Sequence, residues 1–388
     1  MSRFHSYINS SKRILDAYDA VHPFPFHVKK HFAANKQFGS RDRKMISEIC
    51  YAWFRTSHLF DRNLQDKNMI NALFLCTEVD HPLLAALAPE LNEKVAMPAL
   101  QKLAHLQLKP AAIFPFEDCL GSVDHQPFIL SFLIQPLLFL RLRPGNEQVV
   151  LDKLRSNNIS YSEIEEDCIA LPNATKLEEN ISLNKEAVVQ DRNSQQVFKY
   201  LLKEHLPAEQ IKVWDCCAAS GGKSILLFDR LNGQISLTVS DIRESMLHNC
   251  KQRLQQAGIK ISQAFVADIA IQVPKKMAPD FSIIICDAPC TGSGTWSRTP
   301  EQLAYFKKEK IEAFSVLQKS IAINASKYLK KGGLFFYITC SVFKQENEEV
   351  VATLQKETGM QLLHNEYLPG YLEKADTMFV AVFKKGSY

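Results

Sequence analysis

The stretch IKVWDCCAASGGKSILLFDRL, residues 211–231, decides the fold. Residues 211–217 read as an apolar strand and residues 223–231 as a helix, with DCCAASGGKS as the turn between them. Gly221 and Gly222 let a ligand come close to the backbone, and the helix start presents free N–H groups. A phosphate loop, GxxxxGK[ST], fits at Gly222, Lys223 and Ser224 but needs a first glycine where Cys217 stands. The dinucleotide fingerprint GxGxxG is absent.

Downstream the same alternation continues. Strands are predicted over 234–240, 262–267, 281–286 and 334–339, with two more at 361–363 and 377–383. Helices are predicted over 244–257, 300–330 and 345–357. Such alternation implies α/β architecture: a doubly wound, mostly parallel sheet with helices on both faces. Ligands of such sheets lie at the carboxyl ends of the strands. Asp241 ends the second strand, about twenty residues after the glycine turn, where an acid suits ribose hydroxyls. Asp268 ends the third, where an adenine edge is often met. Each could equally cap a local turn. Together these strand ends point to a nucleoside cofactor without phosphates, and S-adenosylmethionine fits that description.

Two further strand ends carry thiols. IIICDAPCTGSG, residues 283–294, delivers Asp287 and then Cys290 on a glycine-rich loop. FFYITCS, residues 335–341, delivers Cys340 to the same edge. Cys286, inside its strand, reads as a buried inert thiol. Carbon 5 of cytosine is not nucleophilic until a thiolate adds to carbon 6. An acid near ring nitrogen 3 stabilises the product, and a base must later remove the carbon 5 proton. Cys340, Cys290 and Asp287 supply two thiols and a carboxyl for that chemistry, and either thiol could attack.

The chain of 388 residues is 46% hydrophobic and 23% charged, an ordinary composition for a folded protein of two or three domains. Its net charge of +4 is uneven: residues 1–67 hold twelve Lys/Arg against six Asp/Glu, so the excess sits entirely at this end. That suggests a polyanion partner met by a small module. Ten cysteines without a CxxC pair argue for reduced thiols and against a metal site, so a cytoplasmic protein without metal is expected. The longest apolar run, near 128–142, is broken by Gln135 and Pro136 and is too short for a membrane. Residues 7–120 carry apolar residues at helical spacing, broken by prolines. Residues 136–187 read as a strand, a helix and two short strands, a small α/β unit.

The set VQDRNSQQV, CAASGGKS, SD, AD, DAPCTGSGT and TCS resembles the Sun/RsmB-like family of RNA (cytosine-5)-methyltransferases over residues 188–383. FLRLRP resembles the start of that family's RRM-like module, and FAANKQFGSRDRKMISEICYAWFR its NusB-like helical extension. The resemblance implies a class I methyltransferase sheet over 188–388, a small α/β module over 131–187 and a helical RNA-binding module over 1–130. It implies S-adenosylmethionine held by Cys217, Ala218, Ala219, Ser220, Gly221, Gly222 and Lys223, and by Asp241, Asp268 and Asp287. Cys340 becomes the nucleophile and Cys290 the residue that assists release. RNA, ribosomal above all, is the expected partner of a monomeric enzyme. A catalytically silent RNA-binding protein of the same fold is the alternative reading. Ser220 stands where the family usually has proline, and should loosen the loop slightly.

Overall fold

A computed structural model describes residues 3–201, 210–273, 277–278 and 280–386. The chain divides into two compact units. One comprises the chain up to Asp118, Asp124–Gln135 and Trp296–Lys308; the other comprises Cys119–Val123, Pro136–Thr295 and Glu309–Tyr388.

The first unit is helical. Its longest helix, Ser40–Thr56, buries Ile46, Ile49, Cys50 and Trp53 along one stripe, the spacing that a 3.6-residue repeat dictates. Arg55 of this helix is buried and donates to Phe132 O (2.7 Å), Ile134 O (3.2 Å) and Gln135 Oε1 (2.6 Å). Residues 296–308 join the same unit: Trp296 is buried, its ring 5.9 Å from that of Phe114 and 4.6 Å from that of Phe306. The single helix expected over 300–330 is therefore two, Pro300–Tyr305 and Glu309–Ser326. Phe306 breaks it, with an extended backbone that ends the helix while its ring packs on Trp296 and Phe116.

The second unit holds two sheets. In the smaller, β1 (Leu138–Leu142), β2 (Ser162–Glu165), β3 (Cys168–Leu171) and β4 (Ala187–Val189) lie in the order β2-β3-β1-β4, all antiparallel. The helix Glu147–Ser156 covers it through Val150 and Leu154. The larger sheet comprises β5 (Ile211–Asp215), β6 (Ile235–Asp241), β7 (Ile261–Val266), β8 (Phe281–Asp287), β9 (Leu329–Thr339), β10 (Gln361–Leu368) and β11 (Met378–Lys384). Their order is β10-β11-β9-β8-β5-β6-β7. Strands β5 to β9 pair in parallel, and β11 is antiparallel to both its neighbours. Apolar clusters cover both faces, which is why strands such as β8 (FSIIICD) are nearly continuous apolar runs. β9 begins five residues earlier than expected, because Gly332 takes a left-handed φ of 74° within the strand instead of ending a helix. The chain order reverses between β5 and β8, so a ligand crevice belongs at their carboxyl ends.

One buried ion cluster ties the two sheets. Arg141 of β1 donates to Asp229 Oδ2 at 2.7 Å, and Arg143 to Asp229 Oδ1 at 2.7 Å. Arg143 also donates to Ala257 O at 2.7 Å. Asp229→Ala would leave two buried guanidinium groups without their anion, a change that typically costs about 3–5 kcal/mol. Urea unfolding should show a loss of that order, and an unchanged midpoint would mean that the cluster adds no stability.

Candidate active site

The loop after β5 is shaped by the backbone. Gly221 N donates to Ala218 O at 2.7 Å, and Ala218 N to Ser240 O at 2.9 Å, so the turn folds back against the end of β6. Gly221 adopts a φ of 79°, and a Cβ there would lie 2.9 Å from Cys250 Sγ. Only glycine satisfies both conditions without displacement. The helix Gly222–Arg230 then starts with Lys223 in its first turn.

Two side chains brace this loop. Asp241 accepts from Ala219 N at 3.0 Å through one oxygen, and from Arg243 N and Nε at 2.9 and 3.2 Å through the other. Arg253 donates from one nitrogen to Ser220 O (3.1 Å) and Ser220 Oγ (2.6 Å), and from Nε to Asn184 Oδ1 (3.0 Å). Ser220 thus gains a guanidinium brace where a proline ring would have stiffened the chain.

A cavity of about 270 Å³ opens beside the loop, walled in part by Ala218, Ala219, Ser220, Gly222, Lys223, Asp287 and Cys340. Asp215, Asp191 and Asp376 line it as well. Lys223 donates to Asp287 Oδ2 at 2.6 Å, which joins the ends of β5 and β8 by an ion pair. Burial works most strongly against the Lys223 charge, but Asp287, together with Cys340 and Asp215, holds the ammonium above its ordinary value. Asp215 is buried, and burial raises its carboxyl to about 7, although Ser224 Oγ donates to it at 2.7 Å. Its other oxygen, Oδ1, is buried without a hydrogen-bond partner among the described residues. Cys217 adjoins Cys216 and Cys286, whose thiols draw its own down to about 5.

Cys290 Sγ and Cys340 Sγ are 3.3 Å apart. Cys340 O accepts from Gly294 N at 2.8 Å, and Gly294 O from Thr377 N at 2.9 Å, so three strand ends interlock there. The hydrogen bond to Cys340, then burial, push the Cys290 thiol well above its ordinary value. Asp268 stands apart at the end of β7 and accepts from Ala270 N at 3.0 Å as a turn cap. The structure therefore gathers Lys223, Asp287, Cys290 and Cys340 at one edge, with Asp241 behind the loop and Asp268 one strand further out. Three residues here escaped the sequence reading: Asp215, Arg253 and Asp376. Asp215 opens the quoted motif and could have been noticed; the other two reveal themselves only by what they touch.

Comparison with known proteins places similarity over the same strands. Residues 201–382 match the family "16S rRNA methyltransferase RsmB/F". The ribosomal RNA small subunit methyltransferase B of Proteus mirabilis is 26% identical over 82% of this chain and 84% of its own. The probable counterpart of Bacillus subtilis is 28% identical over 62% of this chain, which spans 54% of that protein. The crystal structure of PH0851 superposes with a TM-score of 0.71 at 16% identity, covering 98% of each chain, which shows a shared fold. Residues 201–382, which carry the strand-end motifs of the larger sheet, are thus similar to the RsmB/F family of rRNA methyltransferases, and S-adenosylmethionine is the cofactor that this similarity indicates.

Proposed function

We propose that this protein transfers a methyl group to carbon 5 of a cytosine in small-subunit ribosomal RNA through a covalent bond to Cys340. The observation that carries the reading is the pair of thiols 3.3 Å apart, beside a Lys223–Asp287 ion pair. Methylation of an exocyclic nitrogen or a ribose oxygen has no use for two adjacent thiols; addition to and elimination from a ring carbon uses both.

The residues present fit S-adenosylmethionine. The cofactor carries a sulfonium and an ammonium group, and Asp215, which lines the cavity and has a buried Oδ1 that no described residue meets, would accept from or pair with such a cation. Asp241 and the loop from Cys217 to Lys223 would hold the nucleoside end. The cofactor supplies an electrophilic methyl group.

The protein side chains do the rest. The target base must leave its stack to reach them. Cys340 adds to carbon 6 as thiolate, and the carbon 5–carbon 6 electron pair moves into the ring. The Lys223–Asp287 pair delivers a proton to nitrogen 3, leaving an enamine with electron density on carbon 5. Carbon 5 then takes the methyl group. Cys290 starts protonated, because its hydrogen bond to Cys340 foremost holds its proton. Once Cys340 is a thioether that restraint is gone, and Cys290 releases its proton to solvent. It then takes the proton from carbon 5, the carbon 5–carbon 6 double bond re-forms as Cys340 leaves as thiolate, and nitrogen 3 returns its proton to the Lys223–Asp287 pair.

The helical unit would supply phosphate contacts. Lys29, Lys30, Arg41 and Lys44 are exposed on it, while Asp42, the one acid between residues 22 and 45, is occupied by Arg3, Tyr7 and Gly39 N.

Three outcomes are expected. Cys340→Ala should give neither methylation nor an RNA adduct, whereas Cys290→Ala should accumulate an adduct that survives SDS; methylation by Cys340→Ala would sink the covalent scheme. As pH rises through about 7, Asp215 ionises and should attract a cation more strongly. Calorimetry should therefore show tighter S-adenosylmethionine binding at pH 8 than at pH 6, with a weaker trend for the uncharged-sulfur product, S-adenosylhomocysteine. Asp215→Asn should flatten the trend; a trend that persists would remove Asp215 from the site. Replacing Lys29, Lys30, Arg41 and Lys44 by Ala should flatten the salt dependence of RNA binding by roughly 0.7–0.9 in log–log slope per lost phosphate contact. An unchanged slope would make this surface a bystander.

A further inference from the structure

Glu346 has no exposed surface and lies behind the two thiols. Its Oε1 accepts from Thr291 N at 2.9 Å and from Gln318 Nε2 at 3.0 Å. Its Oε2 accepts from Thr291 Oγ1 at 2.6 Å and from Ser341 Oγ. Thr291 directly follows Cys290, and Ser341 directly follows Cys340. Gln318, on the helix Glu309–Ser326, also donates to Pro289 O at 3.0 Å, just before Cys290. Both sides of Cys290 are thereby tied to one carboxylate that also holds the residue after Cys340. Burial pushes the Glu346 carboxyl up, and the hydroxyl and amide donors work against that rise. A carboxylate accepts in about four directions in one plane, enough for all four of these donors.

Nothing in the chemistry requires an acid at this place. It touches neither the cavity wall nor the reacting sulfurs. Its bonds run to the neighbours of both sulfurs, on two loops that Gly294 N to Cys340 O (2.8 Å) and Val342 N to Ser293 Oγ (2.9 Å) also join, each two or more residues away from Cys290. We propose that Glu346 is a positioning residue: it fixes the separation of the Cys290 and Cys340 thiols by fastening the residue after each cysteine to the same carboxylate. The proposal rests on the two-thiol reading, since only that reaction needs the sulfurs at a set distance.

Substitutions at Glu346 separate geometry from charge. In Glu346→Gln the amide oxygen can still accept from Thr291 N and Gln318. Its NH₂ can donate to the Thr291 and Ser341 hydroxyls, which turn to accept. Glu346→Asp keeps the charge but is too short to reach both loops, and Glu346→Ala removes every bond. The readout is bridging of the two thiols by phenylarsine oxide, which joins a close dithiol through arsenic with loss of water. Peptide mass spectrometry assigns the bridge to Cys290 and Cys340. Calorimetry with S-adenosylmethionine verifies the fold, and kcat and KM for RNA complete the set.

The wild type and Glu346→Gln should bridge rapidly. Glu346→Asp and Glu346→Ala should bridge at least about tenfold more slowly and lose kcat by a similar factor, with cofactor affinity and KM retained, as displacement of reacting groups by a fraction of an ångström demands. Bridging at the wild-type rate in Glu346→Ala would overturn the proposal. So would a Glu346→Gln variant as slow as Glu346→Asp, since charge would then be what matters. Should Glu346→Ala lose cofactor binding through misfolding, Thr291→Val takes its place: slower bridging supports the proposal and unchanged bridging overturns it. Methylation by Cys340→Ala alongside slow bridging in Glu346→Asp would fell the covalent reading and leave the positioning role standing.

Discussion

The pairing of β5 with β8 is the constraint on which the site depends. Val213, Trp214 and Asp215 pair in parallel with Ile283, Ile284 and Ile285, although nearly seventy residues separate the two strands. Parallel neighbours end at the same edge, so the glycine loop and the Asp287 loop must emerge side by side. Because β6 lies on the other side of β5, the two loops diverge, and the crevice between them is where Lys223 reaches Asp287. β9 extends the same logic one strand further and brings Cys340 to Cys290.

Much of this was legible in the sequence, for a physical reason. Parallel strands buried on both faces must be continuously apolar, so β5, β8 and β9 announce themselves, and topology alone then places the residues after each strand at the site. Asp287, Cys290 and Cys340 needed no more than that. The features that could not be read depend on partners distant in sequence. Phe306 ends a helix because Trp296 and Phe116 offer its ring a better place, and no local propensity marks it. The two glycines 332 and 333 have the look of a helix stop, yet they sit within β9.

Ser220 shows the same limit from the opposite side. Read locally, a serine in place of a proline only loosens the loop, because it frees φ. In the fold it provides a hydroxyl and an accessible carbonyl that Arg253 binds, and Arg253 in turn holds Asn184, near the smaller sheet. Stiffness has moved from the chain to a tertiary contact. The glycine loop is thus coupled to the module beside it, and the Ser220 hydroxyl adds to that coupling a bond that a proline could not make.

Three buried carboxylates complete the picture, and the donors each one meets say what it does. Asp229 is met by two guanidinium groups; its charge is matched within the protein, so it joins modules and has nothing left for a ligand. Glu346 is met by hydroxyls and amides at both oxygens; its acceptor capacity is filled by the loops it holds, so it orders them. Asp215 has one oxygen met by a hydroxyl and the other by no described residue, although it is as deeply buried as the others. An unsatisfied buried acceptor costs roughly 1–3 kcal/mol or more when charged, a cost that a cation bound in the cavity would offset. The carboxylate left incomplete by the protein is the one that lines the cavity.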